Sequence, residues 1–310
     1  MRHSASTLFA CLAAAAAIAV VAQAQTPRPV AATVVSKPAP AKTAPVPLLW
    51  KVSDDDNTIY LLGSFHLLKP DDYPLSKDVD EAFADAESIV FELPPATVEK
   101  LKAWQTANSD RLPGLGLTPE RVQMFEPWFV GLTITLVDMT RQGLDPKLGL
   151  DAYFSAQAKL AKKPTGGFET GAQQIAFLDG MNREEQLQFI DEALSQTTDG
   201  ELDKLHTEWR NGDAAAIWND MAADMRSRYP KLYQRINVER NDAWVPKVER
   251  MLAATGTDDT LVVVGALHLL GSDGVVEKLR SKGFTVERIC SACTPAMLQG
   301  QSGDRVSPNP

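Results

Sequence analysis

Hydrophobic positions change their spacing twice along this chain. From Pro47 to Leu93 they come in short continuous runs, Leu48-Leu49-Trp50, Ile59-Tyr60-Leu61-Leu62 and Ile89-Val90-Phe91, bounded by Asp, Ser, Gly or Pro. Runs of that length with such boundaries predict buried strands. "LLWKVSDDDNTIYLLG" is expected to be a hairpin turning over Ser53–Asn57, and "SIVFEL" (88–93) a strand stopped by Pro94-Pro95. Ser76 is expected to open a helix through about Ala86, with Asp78, Asp80 and Glu81 at its positive end. From there to about residue 255 the spacing is mainly helical. It is firmest over 127–142, 149–162, 183–196 and 238–253, with one short strand at "PTGGFE". Strand spacing then returns at 260–264, followed by a helix at 274–281, closed by Gly283, and a last strand at 284–289.

This pattern predicts an α/β (α+β) fold with a mixed sheet. Two βαβ-like units at the chain ends supply the sheet, and a long helical insertion separates them. We read 47–293 as one domain, with a polar tail over 294–310.

Composition adds a location. The chain of 310 residues is 44% hydrophobic and 7% aromatic, enough for a real core, and its net charge of −9 argues against nucleic acid as a partner. Arg2, an alanine-rich apolar core and Ala22-Gln23-Ala24 have the layout of a signal peptide over 1–24. The apolar run from Leu8 to Ala22 is short for a membrane span, so the mature chain is expected to be periplasmic or secreted with no integral span. Residues 25–46, rich in Pro, Ala and Thr, read as a disordered spacer. Removal of the leader leaves Cys290 and Cys293, which in an exported chain favour a structural disulfide over a redox pair.

The candidate chemistry lies in a phrase that occurs twice. "LLGSFHLL" and "VVGALHLL" each place a histidine three residues after a glycine that ends a strand, giving Gly63/His66 and Gly265/His268. A lone histidine after a strand is more often structural. Here two of the three histidines outside the leader share one setting, which favours function; His206, in "ELDKLHTEW", is assigned a structural role. Packed side by side, the two units would bring His66 and His268 together at the carboxyl edge of the sheet, where α/β sheets bind ligands. Glu92, closing "SIVFEL", would stand on a neighbouring strand. Two imidazoles and one carboxylate suit a divalent transition metal that acidifies water for hydrolysis; Glu92 is alternatively a general base. Glu169 in "GGFET" faces either this site or its own helix N-terminus. Asp151 in "GLDAYF" is assigned mainly to helix capping. Asn241 falls on the apolar stripe of its helix, so it and Arg240 need buried partners near the site. Glu287, the repeat partner of Glu92, is read as a solvated strand residue.

These motifs resemble the TraB/PrgY/GumN family, which includes the TIKI-type membrane proteases. The likeness rests on the two Gly-x-x-His motifs and the glutamate of "VFEL", and runs on through "GLDAYF", "GGFET", "ERNDAW" and "VVVGALHLLGSDGV". It implies a domain related to the erythromycin-esterase and ChaN-like proteins, and metal-dependent proteolysis of a peptide or protein substrate with Mn, Co or Zn. Carried over by motif, His66, His268 and Glu92 would be the metal or catalytic set, with Glu169, Arg240 and Asn241 beside them. The alternative is a non-catalytic periplasmic protein that binds a peptide or a haem-like ligand at the same edge.

Overall fold

The computed structural model describes residues 43–96, 126–195 and 200–294. The expected signal peptide and most of the spacer and tail lie outside the described residues. Thr43–Val46, assigned to the spacer from composition, instead pack on the fold: the Val46 amide donates to the Arg210 carbonyl (2.7 Å) and Arg210 donates to the Thr43 carbonyl (2.9 Å).

Strands β1 (Leu49–Ser53) and β2 (Thr58–Ser64) form the expected hairpin, in register Leu49↔Leu62 to Ser53↔Thr58. Its turn is held by the Asp54 carboxylate, which accepts from the amides of Asp56 and Asn57. β3 (Ser88–Phe91), β4 (Thr165–Gly167), β5 (Thr260–Gly265) and β6 (Val286–Arg288) complete a six-stranded sheet in the order β4-β3-β5-β2-β1-β6. β4, β3, β5 and β2 are mutually parallel, and β1 pairs antiparallel with both β2 and β6. Every residue of β2 and β5 is buried, as central parallel strands covered on both faces require.

The two end units interleave rather than stand side by side. β5 inserts between β2 and β3, with Ser64↔Gly265 and Phe91↔Val263 in register, while β6 pairs with β1 and leaves β5 untouched. β6 is short and carries the exposed Glu287, the character of an edge strand, so it closes the antiparallel margin. Interleaving makes the two histidine phrases direct neighbours, a closer approach than lateral packing would give.

The helices are α1 (Lys77–Asp85), α2 (Pro127–Arg141), α3 (Leu150–Ala161), α4 (Gly171–Asp179), α5 (Arg183–Ser195), α6 (Glu201–Arg210), α7 (Glu239–Leu252) and α8 (Val275–Ser281), and all but α4 and α6, for which no span was expected, match their expected spans to within a residue or two. π turns at Trp218–Ala223 and Gln234–Val238 interrupt the run between α6 and α7, a feature that local spacing does not reveal. Gly283 ends the α8 region at φ 96°, as its cap role demands. After β6, Cys290 and Cys293 form a disulfide. The Ser291 amide and hydroxyl donate to the buried Asp78 of α1, tying this end of the chain to the core.

Candidate active site

Four parallel strands end on one edge, and each is followed within three residues by a polar side chain: His66 after β2, Glu92 after β3, Glu169 after β4 and His268 after β5. The β3–β4 ladder continues past the strands, with the Glu169 amide donating to the Glu92 carbonyl (2.8 Å), so the two glutamates leave the sheet as neighbours.

His66 is 2% exposed and is gripped from α3. Gly149, the N-cap of α3, lies so close to the His66 backbone that a Cβ there would be 1.8 Å from the His66 carbonyl oxygen. That approach delivers Asp151, whose Oδ2 receives both the His66 Nδ1–H (2.7 Å) and the Ser64 hydroxyl (2.5 Å). Asp151 is therefore a site residue, contrary to the capping role favoured from sequence; Gly149 makes no side-chain cap. Burial, the largest single influence, lowers the His66 pKa, but the charge and hydrogen bond of Asp151, with the charge of Glu92, raise it to about 9. Burial likewise opposes ionisation of Asp151, and His66 and Ser64 outweigh it, holding that carboxyl below the ordinary range. Asp151 and Glu92 thus favour the doubly protonated form of His66. Its Nε2 has no hydrogen-bond partner among the described residues and faces Glu92 Oε1 across 3.8 Å.

Glu92 is fully buried. Oε1 accepts from the Gly265 amide (2.8 Å), and Oε2 accepts from Arg240 Nη2 (2.7 Å) and, at 3.5 Å, from Gln174. A Cβ at Gly265 would stand 3.1 Å from both Glu92 Oε1 and His66 Nε2, so the glycine keeps the gap between those two atoms clear. Arg240, 2% exposed at the start of α7, also binds Glu169 through Nε (2.8 Å) and Nη2 (2.9 Å). Trp244, one turn on, donates to Glu169 Oε1 (2.9 Å), and its ring lies 4.9 Å from the guanidinium. Two buried carboxylates around one guanidinium is the pairing that burial of charge requires.

His268 belongs to the same network, with its protons assigned by its partners. Arg240 can only donate, so its Nη1 fixes His268 Nε2 as the acceptor (3.0 Å). The proton is then on Nδ1, which donates to Asn241 Oδ1 (2.7 Å); the Asn241 amide nitrogen donates in turn to the Asp273 carbonyl (2.8 Å). The Trp244 ring packs on the imidazole at 4.4 Å. Every sequence-named candidate, His66, His268, Glu92, Glu169, Arg240 and Asn241, is thus buried in one cluster. His206 has the structural place expected of it, bonded to Asp72 (2.8 Å) and packed beside Phe65 and Trp209.

Comparison with known proteins points the same way. The family model described as TraB/PrgY/gumN matches the chain over residues 48–115 and 99–288. The chain belongs to the TraB/PrgY/gumN family. No curated protein and no solved structure matches it.

The metal that the TraB/PrgY/gumN resemblance implies can be set against these donors. His66 Nε2 and Glu92 Oε1 are oriented toward one another, but His268 Nε2 and Glu92 Oε2 are both committed to Arg240. Among the described residues no group of three or more His, Cys, Asp or Glu side chains is arranged to hold a metal ion. As arranged here, the three-residue set of this TraB/PrgY/gumN member does not fit a divalent cation. Sequence reasoning also missed Ser64, Gly149 and Trp244 as site residues. Gly149-x-Asp151 at a helix start was a usable signal; the Ser64 and Trp244 contacts had none, because they depend on which elements meet.

Proposed function

We propose that this protein is an exported hydrolase, a peptidase in the first instance, that activates water at the edge shared by His66 and Glu92. One observation carries the reading: a buried imidazole whose Nε2 has no hydrogen-bond partner among the described residues and faces a buried carboxylate oxygen, with a glycine keeping the space between them clear. An acid and a base from adjacent elements at that spacing can share one water. Glu92 accepts a proton from the attacking water. His66 gives its Nε2 proton to the leaving nitrogen of the amide, whose bond to carbon breaks as the new carbon–oxygen bond forms. Arg240 and the Gly265 amide hold Glu92 in place, and Asp151 holds the His66 ring. The Asp151 side chain is 28% exposed, so solvent reaches the cluster on the α3 side.

The export reading rests on the leader-like segment 1–24, and the peptide substrate on the TIKI-type relatives. The test is hydrolysis of a mixed peptide library by the mature chain, its Glu92→Gln and its His66→Asn variants. Cleavage by the wild type that falls at least about 100-fold in both variants supports the proposal. Chelator-treated protein is assayed alone and with Mn, Co or Zn, so that dependence on an ion is read in the same experiment. A library left intact under every condition, with a peptide or haem bound instead, would replace the hydrolase by the binding-protein alternative.

A further inference from the structure

The disagreement between the implied metal and the observed donors centres on Arg240, beside a His66 proton that an entering metal would displace. We propose that Arg240 and a divalent cation are alternative occupants of a single site: the guanidinium is the resident cation, and a metal ion can enter only where it withdraws. The inference rests on the hydrolytic-edge reading for the choice of ion, but its evidence and its test are independent of turnover.

The exclusivity follows from a count of lone pairs. A carboxylate oxygen can accept a hydrogen bond and still bind a metal, so Arg240 on Glu92 and Glu169 would not by itself prevent coordination. His268 is different. Its Nδ1–H is donated to Asn241, leaving one in-plane lone pair on Nε2, and Arg240 Nη1 takes it at 3.0 Å. Asn241 is in turn fixed by the Asp273 carbonyl, so the ring has no ready alternative tautomer. Coordination by His268 and the Arg240 bond cannot coexist. Charge gives a second argument. Glu92 and Glu169 are both buried and both ion-paired to Arg240, at 2.7 and 2.8 Å, so a further cation beside the guanidinium would meet carboxylates whose charge is already half offset, and would be repelled by the guanidinium itself. With Arg240 withdrawn and the His66 Nε2 proton released to solvent, His66, His268, Glu92 and Glu169 present two imidazoles and two carboxylates, an N/O set suited to Mn, Co or Zn. Glu169 thereby becomes a fourth donor that the two-histidine, one-glutamate set does not include.

The test is binding, with Co(II) as the probe. Co(II) is titrated into the metal-free mature chain, into Arg240→Met and into Arg240→Met/Glu169→Gln, by calorimetry and by visible absorption. The double variant relieves the charge left by the single one, for the case in which Arg240→Met alone does not fold; it gives up the Glu169 donor but keeps His66, His268 and Glu92. We expect wild type to bind at least 30-fold more weakly than whichever variants fold, and His268→Ala added to the variant to abolish the gain. Equal affinities within threefold would overturn the proposal, whether all are tight or all are weak. A measurement on unmutated protein covers failure of both variants. With saturating Zn(II), ¹⁵N NMR of wild type should show coordination of His268 Nε2 together with loss of exchange protection at the Arg240 Nε–H. Zinc bound with that proton still protected, or His268 unshifted at saturation, would refute competition. Turnover that is indifferent to metal, with no gain in binding on removing Arg240, would sink this inference and leave the hydrolase standing. A binding gain without turnover would do the reverse.

Discussion

Asp151→Asn isolates the charge that keeps His66 protonated. Asparagine has nearly the same shape, and its Oδ1 can still accept from His66 Nδ1–H and from Ser64, so the ring should stay where it is. What disappears is the negative charge, the largest of the influences that together outweigh burial and hold the His66 pKa at about 9 against an ordinary 6.5. Burial is then opposed only by the retained hydrogen bond and the Glu92 charge, and the pKa should fall well below 9. The same shift is a stability difference. A histidine whose pKa is raised in the folded state stabilises the fold fully below its unfolded pKa of 6.5, and that contribution fades as pH rises through about 9. The gap corresponds to about 3 kcal/mol at most. The Asp151 side chain is 28% exposed, so solvent screening reduces the expected value to about 1–2 kcal/mol. Long-range ¹H–¹⁵N NMR should follow the His66 titration, and urea unfolding at pH 6 and pH 9.5 should show the variant weaker at pH 6 and nearly equal to wild type at pH 9.5. A His66 that still titrates near 9 in the variant, or an equal loss at both pH values, would refute the electrostatic account.

Three further outcomes follow from close contacts elsewhere. Gly149→Ala would place a Cβ 1.8 Å from the His66 carbonyl, so α3 must retreat; we expect a loss of about 1–3 kcal/mol in urea unfolding and a fall in the His66 pKa. Gly265→Ala keeps an ordinary backbone (φ −49°) but brings a Cβ to 3.1 Å from Glu92 Oε1 and His66 Nε2. It should fold as wild type does by circular dichroism yet lose about 100-fold in turnover, and undiminished cleavage would remove the gap from the mechanism. Glu208, with its pKa raised to about 7 by burial and by the hydrogen bond and charge of Asp220, makes the fold less stable as pH rises from 4.5 through 7, because only the folded state retains its proton there. Glu208→Gln should flatten that decline and gain about 1–2 kcal/mol at pH 8, read from thermal or urea unfolding; a curve parallel to wild type would contradict the assignment.

Much of this protein is legible in its sequence because the signals are local. Runs such as Leu261–Val264 bury both faces, helical spacing recurs every three to four residues, and Gly283 punctuates; each acts within a few residues of itself, so the elements were placed correctly. The repeated Gly-x-x-His phrase, the glutamate of "VFEL", and Asn241 on the apolar stripe of α7 with Arg240 beside it pointed for the same reason to residues that the fold gathers into one buried cluster. Strand order was another matter. No local signal says that β5 enters between β2 and β3, yet that insertion sets Ser64 beside Gly265 and makes the two histidines neighbours. Only tertiary structure could bring α3 across to His66, turning Asp151 from an expected cap into the partner that sets a histidine's charge. It also decided how the lone pairs are shared: His66 Nε2 is left facing Glu92, while His268 Nε2 is taken by an arginine 28 residues earlier in the chain. Residue types and spacing determine which donors and acceptors exist. Which of them are already satisfied depends on packing between distant segments, and that allocation decides what the site can bind.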